Sequence, residues 1–154
     1  MDIEQLKETV IGIVSKCAEL KNKYAGEIDA PVNYACVFSH SDNEFESLVA
    51  LTSRIGYIIK ETPTGPIFLI EAIPTIAGNL KILKIRRPFE NKPQLGYADF
   101  TLKDYKTFKK EYLSKEGFKL TVREDYEMIG LKDSSYDVFV YFAYPPLDET
   151  LNIK

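Results

Sequence analysis

The chain has no tryptophan, one histidine (His40) and only two cysteines, Cys17 and Cys36. Each scarcity closes off a kind of chemistry. A lone histidine excludes a multi-histidine metal site within one chain, and nothing in the sequence pairs His40 with a nucleophile. The cysteines fall in an apolar helical stripe and in a strand, with no CxxC pair and no Cys/His cluster at zinc spacing. They read as buried free thiols, and a reducing, cytoplasmic compartment is the expectation. No apolar run approaches the roughly 20 residues that span a bilayer, so no membrane partner is expected. The opening Asp2, Glu4 and Glu8 lack the basic stretch and apolar core of a secretory leader. A net charge of −3 offers no excess of cations for a phosphate backbone, so nucleic acid is not an expected partner. A glycine-rich phosphate loop, a GxSxG elbow, an HExxH helix and a paired-carboxylate motif are all missing.

What is present is a chain of one domain's length, 154 residues, rich in tyrosine (10) and phenylalanine (9). Residues 2–24 carry Ile3, Leu6, Val10, Ile13, Val14, Cys17, Leu20 and Tyr24 at steps of three and four, which predicts an amphipathic helix. Asp2 with Gln5 caps its start and Gly26 marks its stop. This segment, residues 1–26, is expected to be an extra packing layer or an oligomerisation surface, which makes a homodimer the protein partner to expect.

Beyond it lies a strand, a helix and three more strands. Val32–Phe38 is β-branched and aromatic after Pro31. Ser41 and Glu44 form a capping box for a helix over about 42–55, which Gly56 stops. Tyr57–Thr62, Ile67–Ile73 and Leu80–Arg87 read as strands, joined by turns at Pro63-Thr64-Gly65-Pro66 and Gly78-Asn79. A proline-bounded polar linker, Pro88–Leu95, follows. The order then recurs: strand Gly96–Thr101, a helix over about 105–116 capped by Asp104 and stopped by Gly117, and strands Phe118–Arg123, Tyr126–Leu131 and Tyr136–Tyr144. The tail, 145–154, is expected to be loose after Pro145-Pro146.

The two stretches share residues as well as order. One constant offset carries Tyr34-Ala35 onto Tyr97-Ala98, Ser41 onto Asp104, Phe45 onto Phe108 and Val49 onto Tyr112. With two residues lost, Gly56-Tyr57 then meets Gly117-Phe118. Such self-similarity predicts a duplicated unit with a groove between its halves.

On this element order and the duplicated Tyr-Ala strand, residues 30–144 resemble the vicinal oxygen chelate superfamily, the glyoxalase and extradiol dioxygenase type. The resemblance implies an α+β fold: two tandem βαβββ modules, 30–87 and 96–144, forming a curved mixed sheet around a cleft, with helices on the outer face. It also implies metal ligands facing the cleft, typically His on the first strand of each module and Glu or a similar ligand on the last. This chain departs from that pattern. Tyr34 and Tyr97 stand where histidine is expected, the fourth strand offers Lys84 and Arg86, and the last, Val138–Tyr144, has no carboxylate. A divalent ion needs several imidazole or carboxylate ligands converging at about 2 Å, and a lysine or arginine there would repel it. The expectation is a divergent member with no metal and no other cofactor.

Strand alternation puts Tyr34 with Cys36 on one face, and Tyr97 with Asp99 on one face. In a pseudo-symmetric pair these four meet across the cleft, with Tyr141 of the last strand beside them. An inward Asp99 needs a partner, and Arg86, Lys84 or a ligand would serve. Lys84 and Arg86 share one face of their strand, Lys81 and Arg87 the other; which face meets the cleft stays open. Such cations either protect a solvated edge or take up a carboxylate or phosphate. The Ile85-Arg86-Arg87 run also resembles the triphosphate-tunnel enzymes, but their alternating Glu/Lys strand is absent.

The leading expectation is therefore a metal-free small-molecule-binding protein. Its ligand is anionic or aromatic, held by Tyr34, Cys36, Lys84, Arg86, Tyr97, Asp99 and Tyr141, with no catalytic residue assigned. One alternative is a structural or protein-interaction module with a vestigial cleft. The other is an enzyme of unfamiliar type, using Asp99 or Glu71 as general base and Arg86 to stabilise negative charge.

Overall fold

Asp2 starts the first helix as the sequence predicts. Its carboxylate accepts from the Gln5 amide at 2.8 Å, and the Gln5 side chain accepts from the Asp2 amide at 2.8 Å. This capping box opens α1 (Ile3–Tyr24). The computed structural model describes residues 1–89 and 92–153. After α1 come β1 (Val32–Phe38), α2 (Asp42–Thr52), β2 (Gly56–Thr62), β3 (Gly65–Thr75) and β4 (Gly78–Arg86). The second half holds β5 (Gly96–Phe100), α3 (Tyr105–Tyr112), β6 (Phe118–Val122), β7 (Glu127–Leu131) and β8 (Val138–Tyr144), followed by α4 (Leu147–Thr150). No helix among the described residues is long and apolar enough to cross a membrane.

All eight strands join one mixed sheet in the order β2-β3-β4-β1-β5-β8-β7-β6. β1 runs parallel to β4 and β5 parallel to β8, while the central pair β1–β5 is antiparallel with Ala35 opposite Ala98. Alanine at both positions keeps the middle of the sheet thin where α1 lies on it. Gly96 does the same: a Cβ there would sit 2.0 Å from the Cys36 carbonyl oxygen and 3.2 Å from Ile13 Cδ1. Into this space α1 buries Leu6, Val10, Ile13, Val14, Cys17 and Leu20 against β1, β3, β5 and β8. Each aliphatic side chain so covered stabilises the fold by roughly 1.5–3 kcal/mol. α2 adds Phe45 and Leu48 to this core, and α3 adds Tyr105 and Phe108. α1 is thus a packing layer.

Three local expectations need correction. The helices are shorter than expected. α2 stops at Thr52, where the hydroxyls of Thr52 and Ser53 donate to the Leu48 and Val49 carbonyls at 2.7 and 2.8 Å; such back-bonding competes with continuation of the helix. α3 stops at Tyr112, short of Gly117. Secondly, Ser41 caps α2 through the Glu44 amide at 3.1 Å, but the Glu44 carboxylate accepts from the His40 amide at 3.0 Å, one residue earlier than a capping box requires. Thirdly, the tail is ordered: α4 contacts β1, and the Asp148 amide donates to Asn33 Oδ1 at 3.1 Å. Of the linker and tail residues, Glu90, Asn91 and Lys154 lie outside the described residues.

Candidate functional site

The helices α1, α2 and α3 cover one face of the sheet, and strand alternation decides what stands on the other. In β1 that face receives Tyr34, Cys36 and Phe38; in β5 it receives Tyr97 and Asp99. The register sets Cys36 opposite Tyr97 and Tyr34 opposite Asp99. On one flank β4 places Lys84 beside Cys36 and Arg86 beside Phe38. On the other, β8 places Phe139 beside Tyr97 and Tyr141 beside Asp99. All seven residues expected at the site therefore stand on the helix-free face, Lys84 and Arg86 of the fourth strand among them.

The face has two unlike ends. At one end the side chains close over each other. The Tyr34 and Tyr97 hydroxyls are 3.2 Å apart and their rings cross edge to face at 83°. Asp99 is 0 % exposed; its Oδ1 accepts a long bond from the Ala143 amide at 3.5 Å, and its Oδ2 has no partner among the described residues. Burial drives its carboxyl well above the usual carboxylate range, which the Ala143 amide opposes and the nearby Asp148 charge reinforces. Burial likewise pushes both tyrosine hydroxyls up, and the Cys36 thiol up to about 12 against the pull of Lys84 and Arg86. This end is a closed layer in which burial favours the uncharged forms of the carboxyl, the hydroxyls and the thiol.

The expected pairing of Asp99 with Arg86 or Lys84 does not form. Asp99 lies level with Tyr34 and Arg86 level with Phe38, four positions along β1, or about 13 Å. Parallel and antiparallel pairing on the two sides of β1 send the carboxylate and the guanidinium to opposite ends. Glu71, the other candidate base, is exposed on β3.

The other end is open. A cleft of about 220 Å³ is lined by the cations Arg86, Lys92 and Lys132 and by the rings of Phe38, Phe89, Tyr97, Phe139 and Tyr141, with Met128. The Arg86 guanidinium lies 3.8 Å from the Phe89 ring centre, and its Nε is buried without a partner among the described residues. Lys132 Nζ stands 4.7 Å over the Phe139 ring. Desolvation, with the charges of Lys92 and Lys119, pulls the Lys132 ammonium below its ordinary value. Gly130 shapes this wall: a Cβ there would come within 2.9 Å of Tyr141 Cε1, so glycine lets that ring lie flat across β7.

Of the seven expected residues, Arg86, Tyr97 and Tyr141 line the cleft. Cys36, Tyr34 and Asp99 belong to the closed layer beside it, and Lys84 stands next to Cys36. Sequence reasoning missed Phe38 and Phe139, although they follow from the alternation that selected Cys36 and Tyr141. It also missed Phe89, Lys92 and Lys132, which lie outside the strands, where no periodicity marks them.

The resemblance to the vicinal oxygen chelate superfamily implies a divalent metal on this face, and the residues do not fit one. The first strands bring two tyrosines and one carboxylate, and the last strands bring Lys84, Arg86, Phe139 and Tyr141. Among the described residues no three His, Cys, Asp or Glu side chains converge. A donor set with one buried carboxyl and two cations cannot neutralise a divalent ion.

No protein-family model and no curated protein matches the chain. Solved structures do. The structural-genomics protein EC4020 superimposes with a TM-score of 0.73 at 12% identity, covering 97% of this chain and 91% of that one. A glyoxalase/bleomycin resistance protein/dioxygenase superfamily member from Vibrio splendidus 12B01 superimposes with a TM-score of 0.51 at 7% identity, covering 74% of this chain and 97% of that one. Likeness at such identity concerns architecture alone, and on architecture it agrees with the strand order: the chain has a glyoxalase-like, vicinal oxygen chelate-type fold.

Proposed function

We propose that the protein is a metal-free binder of small anionic molecules, with the cleft on the helix-free face as its site. The observation that carries this reading is the convergence of Arg86, Lys92 and Lys132 on one small aromatic-walled cleft of an otherwise acidic chain. Like charges brought together raise each other's free energy, and an anion among them relieves it. Arg86 is the main contact, because its half-buried guanidinium lines the cleft in a partly desolvated site and its Nε has no partner among the described residues. Lys92 and Lys132 are exposed at the rim and steer the anion in. The closed layer of Tyr34, Cys36, Tyr97 and Asp99 stiffens the floor. An acid–base enzyme built on Asp99 and Arg86 has no support, since the two stand at opposite ends of the face.

A thermal-shift panel of small organic acids and phosphates tests the proposal. An acid that binds raises the melting temperature, by an amount equivalent to about 2.7 kcal/mol at a hundredfold excess over Kd. The shift disappears in Arg86→Gln. No shift with any acid overturns the reading.

A further inference from the structure

We infer that the acid this cleft accepts is a carboxylate carried on a single aromatic ring, with the carboxylate on Arg86 and the ring against the wall formed by Tyr97, Phe139 and Tyr141. This rests on the anion-binding reading and narrows it. Size comes first: about 220 Å³ lies below the roughly 300 Å³ at which sites for larger ligands begin, so one ring with its acid group fits and a nucleotide does not. The walls come second. Phe38 crosses Phe89 at 83°, Tyr97 at 67° and Phe139 at 53°, with centroid distances of 5.3, 5.9 and 6.1 Å. Tyr97 crosses Tyr141 at 81° and 4.9 Å. Rings in contact at such angles leave no space between one another, but together they turn both faces and edges toward the cleft, the two surfaces against which a further aromatic ring packs best. The position of the charge comes third. Phe89 covers one face of the Arg86 guanidinium and Nε is buried, without a partner among the described residues, which leaves the terminal amino edge to meet a ligand. An edge-on guanidinium matches the two oxygens of a planar carboxylate through parallel bonds.

Calorimetric titration of the intact protein with benzoate, cyclohexanecarboxylate and inorganic phosphate tests this. Benzoate is expected to bind, and the other two at least tenfold more weakly, because one lacks an aromatic face and the other lacks a ring. Arg86→Gln is expected to weaken benzoate at least tenfold. Lys81→Gln removes the same charge from an exposed site on the opposite face of β4 and is expected to leave binding unchanged. Should Arg86→Gln fail to fold, Lys132→Gln at the exposed rim, expected to weaken benzoate severalfold, takes its place. Cyclohexanecarboxylate or phosphate matching benzoate overturns the aromatic assignment and leaves the anion reading standing. An equal loss in Lys81→Gln and in the cleft variant overturns the placement. No binding of any of the three overturns the aromatic assignment, and if the wider panel of acids also gives no shift the anion reading falls with it.

Discussion

Asp99 is the residue whose chemistry the sequence hinted at and whose setting it did not reveal. An inward carboxylate on a strand of small and aromatic residues was visible from alternation alone, but its partner depended on how the halves of the sheet pair. In the folded chain it stands with Tyr34, Tyr97 and the Ala143 amide and faces no cation among the described residues, so burial pushes it toward the protonated form. The sign of the consequence follows from proton linkage. The folded state keeps a proton that the unfolded chain releases above about pH 4, so stability falls as pH rises from there toward the raised folded value, by about 1.4 kcal/mol per pH unit. Asp99→Asn removes that slope. Urea unfolding of both proteins between pH 4 and pH 8 is expected to show the variant gaining on the parent as pH rises; a constant difference would mean that Asp99 ionises in the fold as freely as in the open chain.

Among the elements, those defined by local chemistry were the most legible. Asp2, Ser41 and Asp104 all accept a bond from the amide three residues on, as their positions ahead of apolar periodic runs suggest. Ser41→Ala is therefore expected to lower stability by about 1 kcal/mol, read as a shift in the urea midpoint without a change in slope. Elements whose ends depend on side chains bonding back to the helix were misjudged, as at Thr52 and Ser53. The short helix after Pro146 was missed although Asp148 and Glu149 in its first turn are an N-terminal signature. The cleft was half legible for a similar reason. Its strand residues obey a period of two, whereas Phe89, Lys92 and Lys132 arrive from connections whose course only the assembled sheet determines.

At the scale of the whole molecule, each half orders its strands alike outward from the centre, β1-β4-β3-β2 and β5-β8-β7-β6, and the two meet along β1 and β5. α1 lies over that seam. Leu6, Val10, Ile13, Val14 and Leu20 together contribute about 8–15 kcal/mol of burial, comparable to the entire stability of a typical domain at about 5–15 kcal/mol. Deletion of residues 1–26 is therefore expected to abolish cooperative thermal unfolding and near-ultraviolet circular dichroism; a remainder that melts cooperatively would contradict the role given to the helix. The same seam has a bearing on biosynthesis. α1 leaves the ribosome long before β8, one of the four strands it rests on, so its apolar stripe can be fully covered only once the last strand of the sheet has been made.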